Sequence, residues 1–196
     1  MKKLILASSS PRRKEILTKL KFDFDVFPSS VKENYKLNLS PKQIVNELSQ
    51  RKALEISKKL PNSFIIGADT IVVIKNKILS KPTDQKDAFR MLNLLSNTHH
   101  YVYTGVCLIT KRNDLIFNFV EITKVYFYKL EKELIYSYIK TKSPYDKAGS
   151  YGIQDFSACF IKKIDGCFYN VVGFPISKFI NNLKTFPKIS SLLVKY

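Results

Sequence analysis

Tryptophan is absent, cysteine occurs three times, histidine twice and glycine only six times in 196 residues. His99 and His100 are adjacent, which leaves no spacing for a histidine-based metal centre. Cys107, Cys159 and Cys167 are odd in number and make no CxxC pair, so three reduced thiols, mostly buried, are expected. No apolar run approaches the roughly 20 residues that cross a bilayer, which argues against a membrane protein. Met1-Lys2-Lys3-Leu4-Ile5-Leu6-Ala7 imitates the start of a signal peptide. Its apolar stretch stops at Ser8-Ser9-Ser10-Pro11, too soon for a secretory core, and a cytoplasmic location is expected.

Acidic residues are also scarce, 16 against 33 basic ones, for a formal net charge of +17. Within that excess arginine is the rarity: 28 residues are Lys and five are Arg, at positions 12, 13, 51, 90 and 112. Proteins that read phosphates or bases in bidentate geometry lean on arginine. The lysines here are scattered beside twenty Ile and six Ala, a bias that AT-rich coding drift explains without a nucleic-acid surface. Zinc-knuckle, helix-turn-helix and RNP patterns are missing. No specific nucleic-acid partner is expected, although the potential would attract any polyanion.

What is present suffices for a core: 45% hydrophobic and 13% aromatic residues exclude bulk disorder. Strands are expected at 4–7 and 22–27, with Ser8-Ser9-Ser10-Pro11 starting a helix over 12–20. Residues 28–40 form a loop, and Ser40-Pro41 opens a long helix to about Leu60. The β-branched run 64–74 predicts a strand interrupted at Gly67-Ala68-Asp69-Thr70, then a tight turn at Lys75-Asn76-Lys77. Thr83 is expected to cap a helix to about Leu95. Residues 101–110 and 115–128 form a long hairpin around Lys111-Arg112-Asn113-Asp114. A helix over 130–139, strands near 159–164 and 167–172 around Asp165-Gly166, and a helix over 175–183 complete the chain. The expected fold is α/β: a mixed twisted sheet flanked by helices with a deep central cleft. Residues 1–196 form one domain with two lobes around that cleft.

Four segments carry chemistry. Five of the six glycines (67, 105, 149, 152 and 173) flank polar residues at strand breaks or turns and mark backbone needing positive φ or close approach. Gly166 is expected in an ordinary hairpin turn. Ser8-Ser9-Ser10-Pro11-Arg12-Arg13 leaves backbone N–H groups at a helix start and suits an anion; the alternative is an ordinary N-cap with solvated charges. Lys52 falls on the apolar face defined by Val45, Leu48, Ile56 and Leu60, where it either meets an anion or snorkels to the edge. Asp69 stands inside an apolar run, where burial is costly without a metal, a cation or a reacting proton; the alternative is a surface Asp on a bulge. Asp146-Lys147-Ala148-Gly149-Ser150-Tyr151-Gly152-Ile153-Gln154 packs glycines, hydroxyls and an amide into either a binding loop or a well-capped one. Glu33 and Lys81 have no pattern of their own. Cations and carboxylates without a His or Cys nucleophile suit phosphoanhydride chemistry with a divalent metal, and not a Ser-His-Asp hydrolase.

In order and spacing these motifs resemble the Maf family of nucleoside triphosphate pyrophosphatases. The carrying residues are Ala7-Ser8-Ser9-Ser10-Pro11-Arg12-Arg13, Lys52-Ala53, Gly67-Ala68-Asp69-Thr70 and Lys81-Pro82. They continue with Leu95-Ser96 to Thr104-Gly105-Val106, Asp146-Lys147-Ala148-Gly149 to Gln154, and Asn170-Val171-Val172-Gly173-Phe174-Pro175. The resemblance implies house-cleaning hydrolysis of a nucleoside triphosphate to the monophosphate and pyrophosphate, with Mg²⁺ or Mn²⁺, by a protein that is often a homodimer. It implies Asp69 as proton acceptor and metal ligand, Glu33 as metal ligand, and Ser8, Arg13, Lys52 and Lys81 around the phosphates. Arg12, Thr70 and Gln154 fall on the specificity positions and match the branch acting on dTTP and UTP. Asn97, Ser143 and Asp155 depart from the family pattern, which usually has Gly, Glu and Gly there. The competing reading is a basic cell-division (septum) regulator or nucleic-acid-binding protein without catalysis. Within enzymes, the rival is a pyrophosphatase for modified purines.

Overall fold

A computed structural model describes residues 3–110 and 114–186. Seven strands form one mixed sheet in the order β2-β1-β3-β5-β6-β7, with β4 paired to β3. β1 (Leu4–Leu6), α1 (Pro11–Lys19) and β2 (Phe24–Val26) make one β-α-β unit, and α2 (Pro41–Lys59) leads to β3 (Phe64–Ile74). β1 pairs in parallel with both β2 and β3, as such crossovers allow. Ser10 caps α1 through Arg13 N, and Ser40 with Gln43 forms a capping box on α2, so the two Ser-Pro signals act as expected.

β3 is one continuous strand of 11 residues, without the interruption expected at 67–70. Glycine weakens a strand only where nothing compensates, and here Gly67 is placed for packing. A Cβ there would lie 2.1 Å from the Ser49 carbonyl oxygen, and one at Gly105 would lie 2.2 Å from that of Val45. Both glycines let α2 approach the sheet closely. β4 (Lys77–Leu79) returns from β3 through Lys75 and Asn76, both at positive φ, as a two-residue hairpin loop requires.

α3 (Gln85–Leu95) is capped by Asp84, not Thr83: the Asp84 carboxylate accepts from Asp87 N at 2.7 Å. β5 (His99–Ile109) and β6 (Leu115–Phe127) are the expected long strands, while the turn residues 111–113 lie outside the described residues. α4 (Lys132–Ile139) follows, then short 3₁₀ turns at Ser143–Asp146, Ala148–Ser150 and Phe156–Phe160. β7 (Ile161–Asp165) pairs antiparallel with β6. The second strand expected near 167–172 is instead a helix, α5 (Phe168–Val172). Its alternating pattern is overridden by the fully buried Asn170, whose amide donates to the Val102 carbonyl at 3.0 Å and to Thr123 Oγ1 at 2.9 Å. α6 (Ile176–Lys184) closes the described chain.

The chain divides into two compact units. One holds residues 1–69, 104–121 and 173–196; the other holds 70–103 and 122–172. In the first, Ile5, Ala7, Ala53, Ile56, Ile65, Cys107 and Ile109 pack α2 against the sheet. In the second, α3 and α4 pack on Val72, Val102, Val125 and Phe127. Of the three thiols only Cys107 is buried; Cys159 is exposed and Cys167 half-buried, a correction to the expectation for most of them. Burial pushes the Cys107 thiol up to about 12, so it stays protonated. Asn97 takes φ 54°, which asparagine tolerates where the family more often has glycine. No helix among the described residues is long and apolar enough to cross a membrane.

Candidate active site

β1 is flanked by β2 on one side and β3 on the other, so the strand order reverses there. In open α/β sheets the carboxyl ends at such a reversal are where ligands bind. Three candidate segments converge on that point within the first unit. Ser8 follows β1, Glu33 lies in the loop after β2, and Asp69 sits on β3 beyond the Leu6–Ile66 register pair.

The pleat aims Asp69. Residues alternate across a strand, so Ile65, Gly67 and Asp69 share the face on which α2 packs. Gly67 admits the α2 backbone, and Lys52 is carried to the next position along that face. Lys52 Nζ donates to Asp69 Oδ1 at 2.5 Å and to Glu33 Oε1 at 2.7 Å. Lys52 and Asp69 are 8% and 5% exposed, so the lysine meets an anion instead of snorkelling to the edge, and the aspartate is not a surface residue. The Glu33 side chain is 59% exposed and completes the group from the loop. Burial raises the Asp69 pKa, opposed by the charge and hydrogen bond of Lys52 and by the charge of Arg13.

The second cation is Arg13, in the first turn of α1 and 8% exposed. Its Nε donates to the Gly173 carbonyl at 2.9 Å and its Nη1 to Ser8 Oγ at 3.0 Å. Ser8 Oγ in turn accepts from Ser10 N at 3.2 Å, so the serine run and both ends of the arginine are tied together. Burial lowers the Arg13 pKa while the Asp69 charge raises it. Arg12 is half-buried on the same turn. The role of Gly173 was not legible in sequence beyond its place in a motif, because a backbone acceptor leaves no residue-type signature.

Thr70, Lys81 and Gln154 belong to the second unit: Thr70 is half-buried on β3, on the opposite face from Asp69, and Lys81 and Gln154 are exposed. The loop that carries Gln154 is held by charge. Lys147 Nζ lies 2.7 Å from Asp146 Oδ1 and 3.1 Å from Asp155 Oδ2. Ser143 Oγ donates to Asp155 Oδ2 at 2.7 Å. Two of the three departures from the family pattern are therefore bonded to each other, and the Asp155 carboxylate joins the lysine within that pairing. Burial would raise the Asp155 pKa, but hydrogen bonds from Ser157, Ser143 and Lys147 prevail and lower it.

His100 is buried with Nε2 2.6 Å from the Tyr151 hydroxyl, and burial drives its pKa down to about 3, so it is a neutral core residue. Among the described residues no three His, Cys, Asp or Glu side chains gather as a metal cluster. Glu33 and Asp69 nevertheless converge on one ammonium group, and two carboxylates are hard donors of the kind Mg²⁺ and Mn²⁺ accept. The two carboxylates suit a hard divalent cation.

Residues 3–186 match the family model described as Maf-like protein. A dTTP/UTP pyrophosphatase of Carboxydothermus hydrogenoformans is 45% identical over 182 residues, covering 93% of this chain and 97% of the relative. One from Bacillus pumilus is 47% identical over 186 residues, covering 95% and 97%. One from Ruminiclostridium cellulolyticum is 41% identical over 196 residues, spanning all of both chains. A solved nucleoside-triphosphatase / dITP/XTP pyrophosphatase from Mycobacterium abscessus superposes with a TM-score of 0.44 at 14% identity, over 64% of this chain and 74% of that one. With its motifs in order along nearly the whole chain and relatives this similar, the protein belongs to the Maf family.

Proposed function

We propose that this protein hydrolyses dTTP and UTP to the monophosphate and pyrophosphate, with Asp69 as the general base. The observation that carries the reading is the buried Asp69 carboxylate at the strand-order reversal, paired with the Lys52 ammonium that also binds Glu33. Full-length relatives bearing the name dTTP/UTP pyrophosphatase supply the substrate class.

Asp69 accepts a proton from the attacking water, and Lys52 keeps the carboxylate ionised and oriented for that step. Arg13, fixed through Ser8 and Gly173, presents the cation nearest α1 to the phosphates, and Lys81 is read as a further phosphate-binding cation. Departing pyrophosphate is strongly anionic, so cations that are already ordered need no reorganisation as charge develops. A divalent metal bound through Glu33 and Asp69 would draw charge off the phosphoryl oxygens. Arg12, Thr70 and Gln154 set the base preference in this reading. A cytosolic homodimer is part of it, and light scattering in solution checks the dimer.

Asp69→Asn keeps the shape of the side chain and removes its basicity. The expected outcome is nucleotide binding close to wild type with pyrophosphate release reduced at least about a thousandfold, a loss in the range of removing a principal catalytic group. The assay is a panel of canonical and modified triphosphates with Mg²⁺ or Mn²⁺, scored for pyrophosphate. Turnover by Asp69→Asn near the wild-type rate would remove the assigned base.

A further inference from the structure

The segment bearing Glu33 has no helix or strand between Val26 and Pro41. Its glutamate is more than half exposed, and an ion pair to so exposed a side chain contributes little to fixing a loop. The backbone on both sides of Glu33 is instead fastened to α2. On the amino side, the Glu55 carboxylate accepts from Ser29 Oγ at 2.6 Å, Ser30 N at 2.9 Å and Ser30 Oγ at 2.8 Å. Arg51 spans Glu33: its Nη2 donates to the carbonyl of the preceding Lys32 at 2.8 Å and to Oδ1 of the following Asn34 at 3.0 Å, and its Nη1 donates to the Asn34 carbonyl at 2.6 Å. Arg51 and Glu55 are one helical turn apart and bracket Lys52, so one stretch of α2 holds residues 29–34 and pairs with Glu33 itself.

We propose that Arg51 and Glu55 are positioning residues that hold the Glu33 carboxylate beside Lys52 and Asp69, and that position 51 requires arginine. The inference rests on the reading of Glu33 as part of the phosphate and metal environment. The requirement for arginine follows from geometry: three acceptors on two residues are met by one planar fork, which a single ammonium cannot reproduce. The composition agrees, since a chain with 28 Lys keeps arginine at only five positions and this is one of them. Lys59, Ser29 and Ser30 hydrogen-bond the Glu55 carboxyl and hold its pKa at about 2, so the anchor stays charged wherever an enzyme works.

The test uses the full-length protein with R51A, R51K, E55Q, E33Q and the double variant R51A/E33Q. Two readouts are taken: kcat and KM for dTTP across a Mg²⁺ titration, and amide hydrogen exchange over residues 29–36. Expected are faster exchange at 29–34 in R51A, R51K and E55Q, and a several-fold higher Mg²⁺ concentration for half-maximal rate. A kcat loss of about tenfold is expected in R51A, with R51K no better, and R51A/E33Q should be no slower than E33Q alone. Losses that multiply in the double variant, or wild-type exchange in R51A, overturn the proposal. If R51A speeds exchange but E33Q works at the wild-type rate, the proposal also falls, and the fault then lies in the reading of Glu33 and not in the anchor. Melting temperatures of the variants separate these effects from global destabilisation.

Discussion

Asp69 is pulled in two directions at once. Burial favours its neutral form, while Lys52 first and Arg13 second favour the anion, and the balance leaves its pKa above the ordinary aspartate value. A general base works only when deprotonated, so the rate rises as pH rises through that pKa. The acid limb of the kcat–pH profile is therefore expected above the ordinary value of 3.8. In Lys52→Met the larger of the two charges opposing burial is gone, and the limb should move further toward neutral pH, beyond any overall loss of rate. A limb that stays put in Lys52→Met would contradict the pairing as the source of Asp69's ionisation. The same residues show what a sequence can and cannot reveal at this scale. Lys52 on an apolar helix face and Asp69 in an apolar strand are each anomalous by pattern alone. That each is the other's partner is a distance, and no spacing in the chain encodes it.

The pairing depends on how two elements meet. α2 and β3 touch through Gly67, where a side chain would collide with the helix backbone 2.1 Å away. Gly67→Ala must push α2 off the strand, and the strain of such overpacking is about 1–3 kcal/mol. The expected result is a melting temperature lower by several degrees together with a larger loss of kcat, because Lys52 and Asp69 are separated by the same displacement. Thermal unfolding beside steady-state kinetics checks this; a destabilised variant with wild-type kcat would show that the contact serves stability alone. Element types were largely legible: the Ser-Pro helix starts, the long α2, the β3–β4 turn and the paired long strands follow from caps, turns and periodicity. The misreadings share a cause. The strand break expected at Gly67 and the strand expected over 167–172 were local inferences about residues whose roles are tertiary. One is a close approach to α2; the other is a buried Asn170 bonded to Val102 and Thr123.

For the whole molecule the question is what the +17 charge does. Most lysines are scattered, and the two cations built into the site of the first unit, Arg13 and Lys52, are buried and committed to specific partners. A high positive potential speeds the encounter with a triphosphate, and salt screens it over a Debye length of about 10 Å at 0.1 M. Raising ionic strength from about 0.05 to 0.5 M should therefore lower kcat/KM several-fold while leaving kcat nearly unchanged. A matching fall in kcat would place the sensitivity in the buried pairs instead. For a duplex-binding protein the counterpart would be a steep, linear loss of DNA affinity with the logarithm of salt.

Taken by itself, the sequence determined the α/β class, the family and the residues that stand out chemically, because those are written in composition, periodicity and motif order. It did not determine which cation holds which carboxylate, that β3 runs unbroken through Asp69, or that Arg51 and Glu55 hold the Glu33 loop. The side-chain contacts among these join residues 17 to 26 positions apart in the chain. They exist only once Gly67 and Gly105 have let α2 settle against the sheet.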